Sequence, residues 1–185
     1  MAVCNTLEGI PKDCGDNNLG SIKRTLIGSF EDVTSLTVTA AVSPDSDGTV
    51  TAVTRTVGTK FEEFTFPKDT SSFAQEWVGD LVADTHSYSQ TVTLGFRRID
   101  LRKRNAIMLL AEGRRDLIVV AQDNNDDYWM LGSDQGIRLS GNSTTSGEAR
   151  SAGQMMPVTL TSENERYMFY KVDPAVALGL LVTAV

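Results

Sequence analysis

Apolar and polar side chains alternate with period two over much of this chain, the pattern of strands that pack one face and wet the other. The clearest stretch is 86–96, where Tyr88, Gln90, Val92, Leu94 and Phe96 share one parity and Ser87, Ser89, Thr91, Thr93 and Gly95 the other. Earlier, Leu36, Val38 and Ala40 alternate with Ser35, Thr37 and Thr39. The turn formers Pro44, Asp45, Ser46, Asp47 and Gly48 then separate them from the apolar positions of 50–57, which predicts a β-hairpin. Phe64 and Phe66 alternate with Glu63 and Thr65 up to Pro67, and Phe73, Gln75, Trp77 and Gly79 share a parity within 71–82, where strand is preferred to helix. Shorter strands are predicted at 117–121 and 128–131, with a turn at 123–127 between them, and near 137–139, 156–161 and 167–172.

One segment breaks this period. Asp100 suits an N-cap, 101–112 is rich in helix formers, and Gly113 is placed to stop the helix, whose packing side would carry Ile107, Leu110 and Ala111. The ends differ from the body. Residues 1–20 have little periodicity and gather Pro11, Asp13, Gly15, Asp16, Asn17, Asn18 and Gly20, as an extended arm would. The expected organisation is therefore one mainly β domain with one α-helix: an N-terminal arm (1–21), a β-rich body (22–173) and an apolar C-terminal tail (174–185). No fixed-period repeat occurs, and the Ser/Thr/Gly stretch 140–147 reads as a flexible connection.

Composition narrows the partners. With 185 residues and 41% hydrophobic content the chain can bury a real core, while a net charge of -7 argues against a general nucleic-acid coat or an anionic membrane surface as partner. The longest apolar run, 175–185, falls well short of the roughly 20 residues of a spanning helix, so no membrane partner is expected. The first residues lack a basic region followed by an apolar run, so synthesis and assembly in a cytoplasm are expected, and for Cys4 and Cys14, which could close a small loop by a disulfide, that compartment favours free thiols.

Candidate chemistry is sparse. Two cysteines and one histidine, His86, cannot make a four-ligand zinc site within one chain. Asp123, Asn125 and Asp127 sit at the first, third and fifth positions of an EF-hand-like loop. Tyr128 stands where that loop needs glycine, however, and Asp134 replaces the bidentate Glu, so a polar hairpin turn is the better reading. His86 lies near Asp80, Asp84 and several serines, yet no serine sits in a Gly-x-Ser-x-Gly elbow, and a strand-edge histidine is preferred. Glycines 132, 136 and 141 match neither a Walker A loop nor a dinucleotide fingerprint. No catalytic residue, cofactor or metal is expected.

What remains are residues that suit contacts between chains. Arg97, Arg98, Arg102, Lys103, Arg104, Arg114 and Arg115 place seven of the 17 basic residues within 19 positions, a density that suits phosphate contact, an acidic surface on another copy, or a solvated helix face. In the tail, Leu178, Leu180, Leu181 and Val182 lack obvious local partners and would be covered by a neighbouring chain. Candidate subunit contacts are thus Arg97, Arg98, Arg102, Lys103 and Arg104 together with those four tail residues.

The arm segment Cys14-Gly15-Asp16-Asn17-Asn18-Leu19-Gly20-Ser21-Ile22-Lys23-Arg24 resembles structural proteins of tailed phages, particularly those infecting Bacteroidetes. The same resemblance extends through Gln90-Thr91-Val92-Thr93-Leu94, Lys103-Arg104-Asn105, Asp123-Asn124-Asn125, Tyr128-Trp129-Met130-Leu131-Gly132 and Gly136-Ile137-Arg138-Leu139. The order of long strand pairs, one helix and further strands is similar to phage tail tube proteins. That resemblance implies an antiparallel β-sandwich or barrel and association into rings, usually hexameric, whose long strands (here from 36–57 and 71–96) build a shared inner barrel. It also implies a place in the virion tail, other tail or neck proteins as partners, and viral DNA only in passage through a lumen. A capsid decoration, neck or terminator protein is the alternative, and a tail-associated hydrolase a third.

Overall fold

Leu117, Ile118, Val119, Val120 and Ala121 are all buried, although adjacent residues of a strand point to opposite faces. A strand of that kind must be covered on both sides. The computed structural model, which describes residues 19–39, 48–80, 85–113, 115–146 and 153–184, shows how. In chain order the strands are β1 (Ile22–Ser29), β2 (Val33–Val38), β3 (Thr49–Arg55), β4 (Glu62–Thr65), β5 (Ser72–Asp80), β6 (Thr85–Arg97), β7 (Leu117–Asp123), β8 (Tyr128–Leu131), β9 (Arg138–Asn142), β10 (Met155–Glu165) and β11 (Tyr170–Val172). Helix α1 (Leu101–Gly113) follows β6 and α2 (Pro174–Gly179) follows β11.

The strands form two sheets. The larger has the order β2-β3-β11-β8-β7-β1-β4 and the smaller β5-β6-β10-β9, and neither closes into a barrel. Pairing is antiparallel except for Lys171 and Val172 of β11, which run parallel to Thr49 and Val50. The passage from β8 in the larger sheet to β9 in the smaller runs through Ile137, which exchanges both backbone hydrogen bonds with Leu117 (3.0 and 2.8 Å) before β9 joins β10.

One core lies between the sheets, with Ile22, Ile27, Val119, Ala121 and Leu131 from the larger meeting Val92, Leu94, Met156, Val158 and Leu160 from the smaller. A second core lies on the far side of the larger sheet. There Leu26, Val50, Ile118, Val120, Met130 and Val172 are covered by Phe61, Ala177 and Leu180. Helix α1 reaches the first core through Ile107 and leaves an apolar cavity of about 340 Å³ between itself, edge strand β4 and β6.

The alternation expected in 86–96 is observed: Gln90, Val92 and Leu94 are buried and the Ser/Thr positions face outward. Strand covers Ser72–Asp80 of the 71–82 segment, β2 and β3 pair as the two arms expected within 34–57, and the strand at 63–66, the turn at 123–127 and the strands near 117–121, 128–131, 137–139 and 156–161 form where expected, whereas only Tyr170–Val172 of 167–172 is strand; residues 40–47, with the expected hairpin turn, and 81–82 lie outside the described residues. Asp100 caps α1 by accepting from the Lys103 amide (3.0 Å). Leu110 and Ala111 belong to α1, but their side chains lie outside the described residues, as do Cys4, Cys14, Asp84 and Arg114.

The stretch 140–147, read as a flexible connection, instead gives its first three residues to β9 and pairs Thr145 with Met155, and two further elements differ from expectation. Strand β1, read as the start of an undifferentiated body, is an interior strand between β7 and β4. Its Leu26 and Ile27 enter different cores, so the alternation that marks a half-wet strand is absent. The tail is the second correction. Instead of an unpartnered apolar run it forms α2, N-capped by the Asp173 carboxylate on the Ala175 amide (2.8 Å) with Pro174 in the first turn. Ala177 and Leu180 then complete the second core.

Arg55 fixes this tail. Its guanidinium donates to the carbonyls of Thr59 (3.2 Å), Leu180 (3.0 Å), Gly179 (3.1 Å) and Val182 (3.0 Å), the last three at or just beyond the C-terminal end of the short helix. Backbone bonds from Phe61 to Leu180 (2.9 Å) and between the 58–59 turn and Ala184 (2.9 Å each) complete the attachment.

Candidate assembly surfaces

The residues that looked like subunit contacts separate into two groups. In the tail, Leu180 is 1% exposed and Leu181 is half-buried, so both serve the chain's own core. Leu178 and Val182 remain outside, at 48% and 64% exposure. The basic residues stay together at the junction of β6 and α1. Arg98 adopts a left-handed conformation (φ 61°), which turns the chain from strand to helix and sets Arg97 and Arg98 beside the first helical turn.

Lys103 ties this junction by donating to the carbonyls of Arg97 (2.8 Å) and Arg98 (3.2 Å) and lying 3.5 Å from Asp100. The Asp100 carboxyl is held below the usual carboxylate range, first by the Lys103 amide and then by the Lys103 charge. Lys103 is thereby a structural cation. Arg97, Arg98, Arg102 and Arg104 are exposed and form no ion pair among the described residues. Beside them α1 turns an apolar stripe outward, with Leu101 69%, Met108 43% and Leu109 77% exposed. Sequence periodicity missed this stripe because the helix carries apolar residues on both sides.

At the other end of β6 lies a second unusual surface. Strand β10 pairs with β6 only as far as Tyr88, whereas β5 continues through Trp77–Tyr88 to Asp80–Thr85. The described end of the β5–β6 pair, Trp77–Asp80 with Thr85–Tyr88, is therefore two-stranded. Trp77 and Val78 are 53% and 50% exposed on its opposite faces, and the Trp77 ring lies across Gly79, where any Cβ would collide with it. Exposed Glu76 sits opposite Ser89, and Glu163 is exposed on the neighbouring strand. His86, opposite Gly79, is exposed at this strand end, the position assigned to it from sequence.

The outward face of the smaller sheet is a carpet of hydroxyls. Thr93 opposes Thr159 and Thr91 opposes Thr161 across β6 and β10, and Ser140 of β9 lies 2.7 Å from the Thr161 hydroxyl. Among the described residues of these four strands the only arginines or lysines are Arg97, at one end, and Arg138, which is ion-paired with Asp116. Gly95 is required in β6 because a Cβ there would collide with the Thr70 carbonyl.

The acidic turn after β7 is a hairpin turn with its carboxylates already engaged. Asp123 accepts from the amides of Asn125 (2.8 Å) and Asp127 (3.0 Å) and from the Trp129 indole (3.1 Å), while Asp126 and Asp127 pair with Lys23 (2.5 Å) and Lys171 (2.7 Å). Asp126 takes the left-handed conformation (φ 69°) that such turns ask of Asn and Asp. A polar network absent from the sequence reading holds the next loop. Fully buried Glu165 accepts from the amides of Asp134 (3.0 Å) and Gln135 (3.1 Å) and from the Ser162 hydroxyl (2.6 Å). Buried Gln90 bridges the Gly132 amide (2.9 Å) and the Tyr167 carbonyl (3.2 Å).

No family model matches this chain, and no curated protein or solved structure matches it either. The fold is that of a mainly β protein of two packed sheets with few helices.

Proposed function

We propose that this chain is a structural subunit of a bacteriophage tail tube, which associates into rings and stacks into a conduit for viral DNA within the virion tail. The resemblance of its strand order and phrases to tail structural proteins motivates the reading. The observation that carries it is the hydroxyl carpet on the smaller sheet. Affinity for DNA comes chiefly from lysine and arginine on phosphates, so a face of Ser and Thr with Glu76 and Glu163 suits a lumen that DNA must traverse without sticking.

The sheet edges favour the same role. β5 and β9 bound the smaller sheet, and nine residues of β5 offer one row of unpaired backbone groups. Joining these edges around a ring would satisfy the ladder groups and remove a liability that single chains normally blunt. Negative-stain microscopy of the concentrated protein tests this reading. Rings that extend into tubes are expected. Rings that never extend would indicate the neck or terminator role instead, and a chain that stays monomeric throughout would overturn ring assembly altogether.

A further inference from the structure

We infer that the cavity between α1, β4 and β6 binds a small amphipathic anion, a medium-chain carboxylate in chemical class, whose apolar tail fills the cavity and whose head pairs with Arg102. This goes beyond the tube reading and does not depend on it. The cavity exists because its wall is thin. Edge strand β4 has only four residues, and α1 presents small Ala106 beside buried Ile107, leaving about 340 Å³ unfilled. The apolar part of the lining is continuous with the first core: Ile27, Leu94, Ile107 and Val158, with the Phe64 and Phe96 rings edge to face at 6.2 Å. Water finds few hydrogen-bond partners on such a surface, whereas an apolar guest supplies the contacts that the lining lacks. The volume lies at the small end of the range for small-molecule sites, which suits a short hydrocarbon tail.

Charge at the rim selects the head group. Glu63, Asp100, Arg102 and Lys103 stand there. The Glu63 carboxylate accepts from the Arg24 guanidinium (2.8 Å), and Asp100 accepts from the Lys103 amide (3.0 Å) with the Lys103 ammonium 3.5 Å away. Lys103 is further occupied by the carbonyls of Arg97 and Arg98. Of the four, only Arg102 has no ion-pair partner among the described residues. A cationic head would meet this unbalanced guanidinium and two carboxylates already engaged. A carboxylate head meets a planar fork of donors that matches its geometry.

Calorimetric titration of the full chain with decanoate, decanol and decyltrimethylammonium, each below micelle formation, tests the site. Decanoate should bind saturably, one per chain, more tightly than the other two, and should raise Tm because it binds the folded state alone. Ala106→Phe, which places a ring in the cavity, should abolish binding of both decanoate and decanol. Because such a ring can also disturb the fold, Arg102→Glu, at an exposed position, gives a second reading. It should weaken decanoate roughly tenfold or more while leaving decanol unchanged. No saturable binding of decanoate, or an equal loss of decanoate and decanol in Arg102→Glu, overturns the site. Binding that survives in a folded Ala106→Phe variant places the amphiphile on the outward stripe of α1 and also overturns it. A cavity that takes no decanoate, yet whose filling abolishes self-association, would mark a side chain of a second copy as the occupant and overturn the ligand. Tubes formed by a chain that binds no decanoate would leave the tube reading standing, so the two failures are distinguishable.

Discussion

Leu180→Ala offers the sharpest test of how the tail is used. Leu180 is 1% exposed and packs in the second core with Phe61, Val50 and Ala177, on elements held to it by the Phe61 amide and the Arg55 guanidinium. Truncating a buried leucine loses its transfer free energy and leaves a cavity, together about 3 kcal/mol within a usual range of about 2–5. For a domain of this size each kcal/mol moves Tm by roughly 2–4 °C, so a fall of about 6–12 °C is expected. Leu178→Ala, two residues earlier at 48% exposure, should change stability by no more than about 0.5 kcal/mol. Chemical denaturation of both variants at a concentration where the protein is unassembled separates core from interface. Equal, small effects for the two leucines, or a loss of assembly without loss of stability in Leu180→Ala, would refute the packing argument.

Further outcomes follow from individual sites. Glu165→Gln should destabilise the fold by about 1–3 kcal/mol, because its amide would turn a donor toward one of the donors the carboxylate now accepts from; hydrogen exchange at Asp134 and Gln135 should quicken, and unchanged protection would contradict the assigned geometry. The Arg138 guanidinium holds the Asp116 carboxyl below the usual carboxylate range, so the stability this pair contributes is present above the unfolded-state pKa of about 4 and is lost as pH falls through the lower folded value. Asp116→Asn should therefore flatten part of the acid limb of a stability-against-pH curve and leave no added dependence above pH 6. In a Trp77→Phe background, adding Ca²⁺ should leave Trp129 emission unchanged, since the Asp123 oxygens are already taken by two amides and the Trp129 indole; saturable change at micromolar Ca²⁺ would show that the turn reorganises into a loop site.

Elements whose cause is local were legible in the residues alone. Alternation in 86–96 marks β6 because only one face of that strand is packed, and Asp100 with the helix formers after it marks α1 because capping and propensity act within a few residues. The Asp123 turn was legible for the same reason: its side chain bonds to amides two and four residues on. The rest depends on packing between segments distant in the chain. β1 carries no alternation because its two faces are buried by elements distant in sequence, and the tail looked unpartnered because Arg55, Phe61 and Val50 cover it from more than 100 positions away. The pattern of a chain records that an apolar residue must be covered but not which segment covers it, so the role of Leu180 as core and of Leu109 as exposed surface had to await the packing.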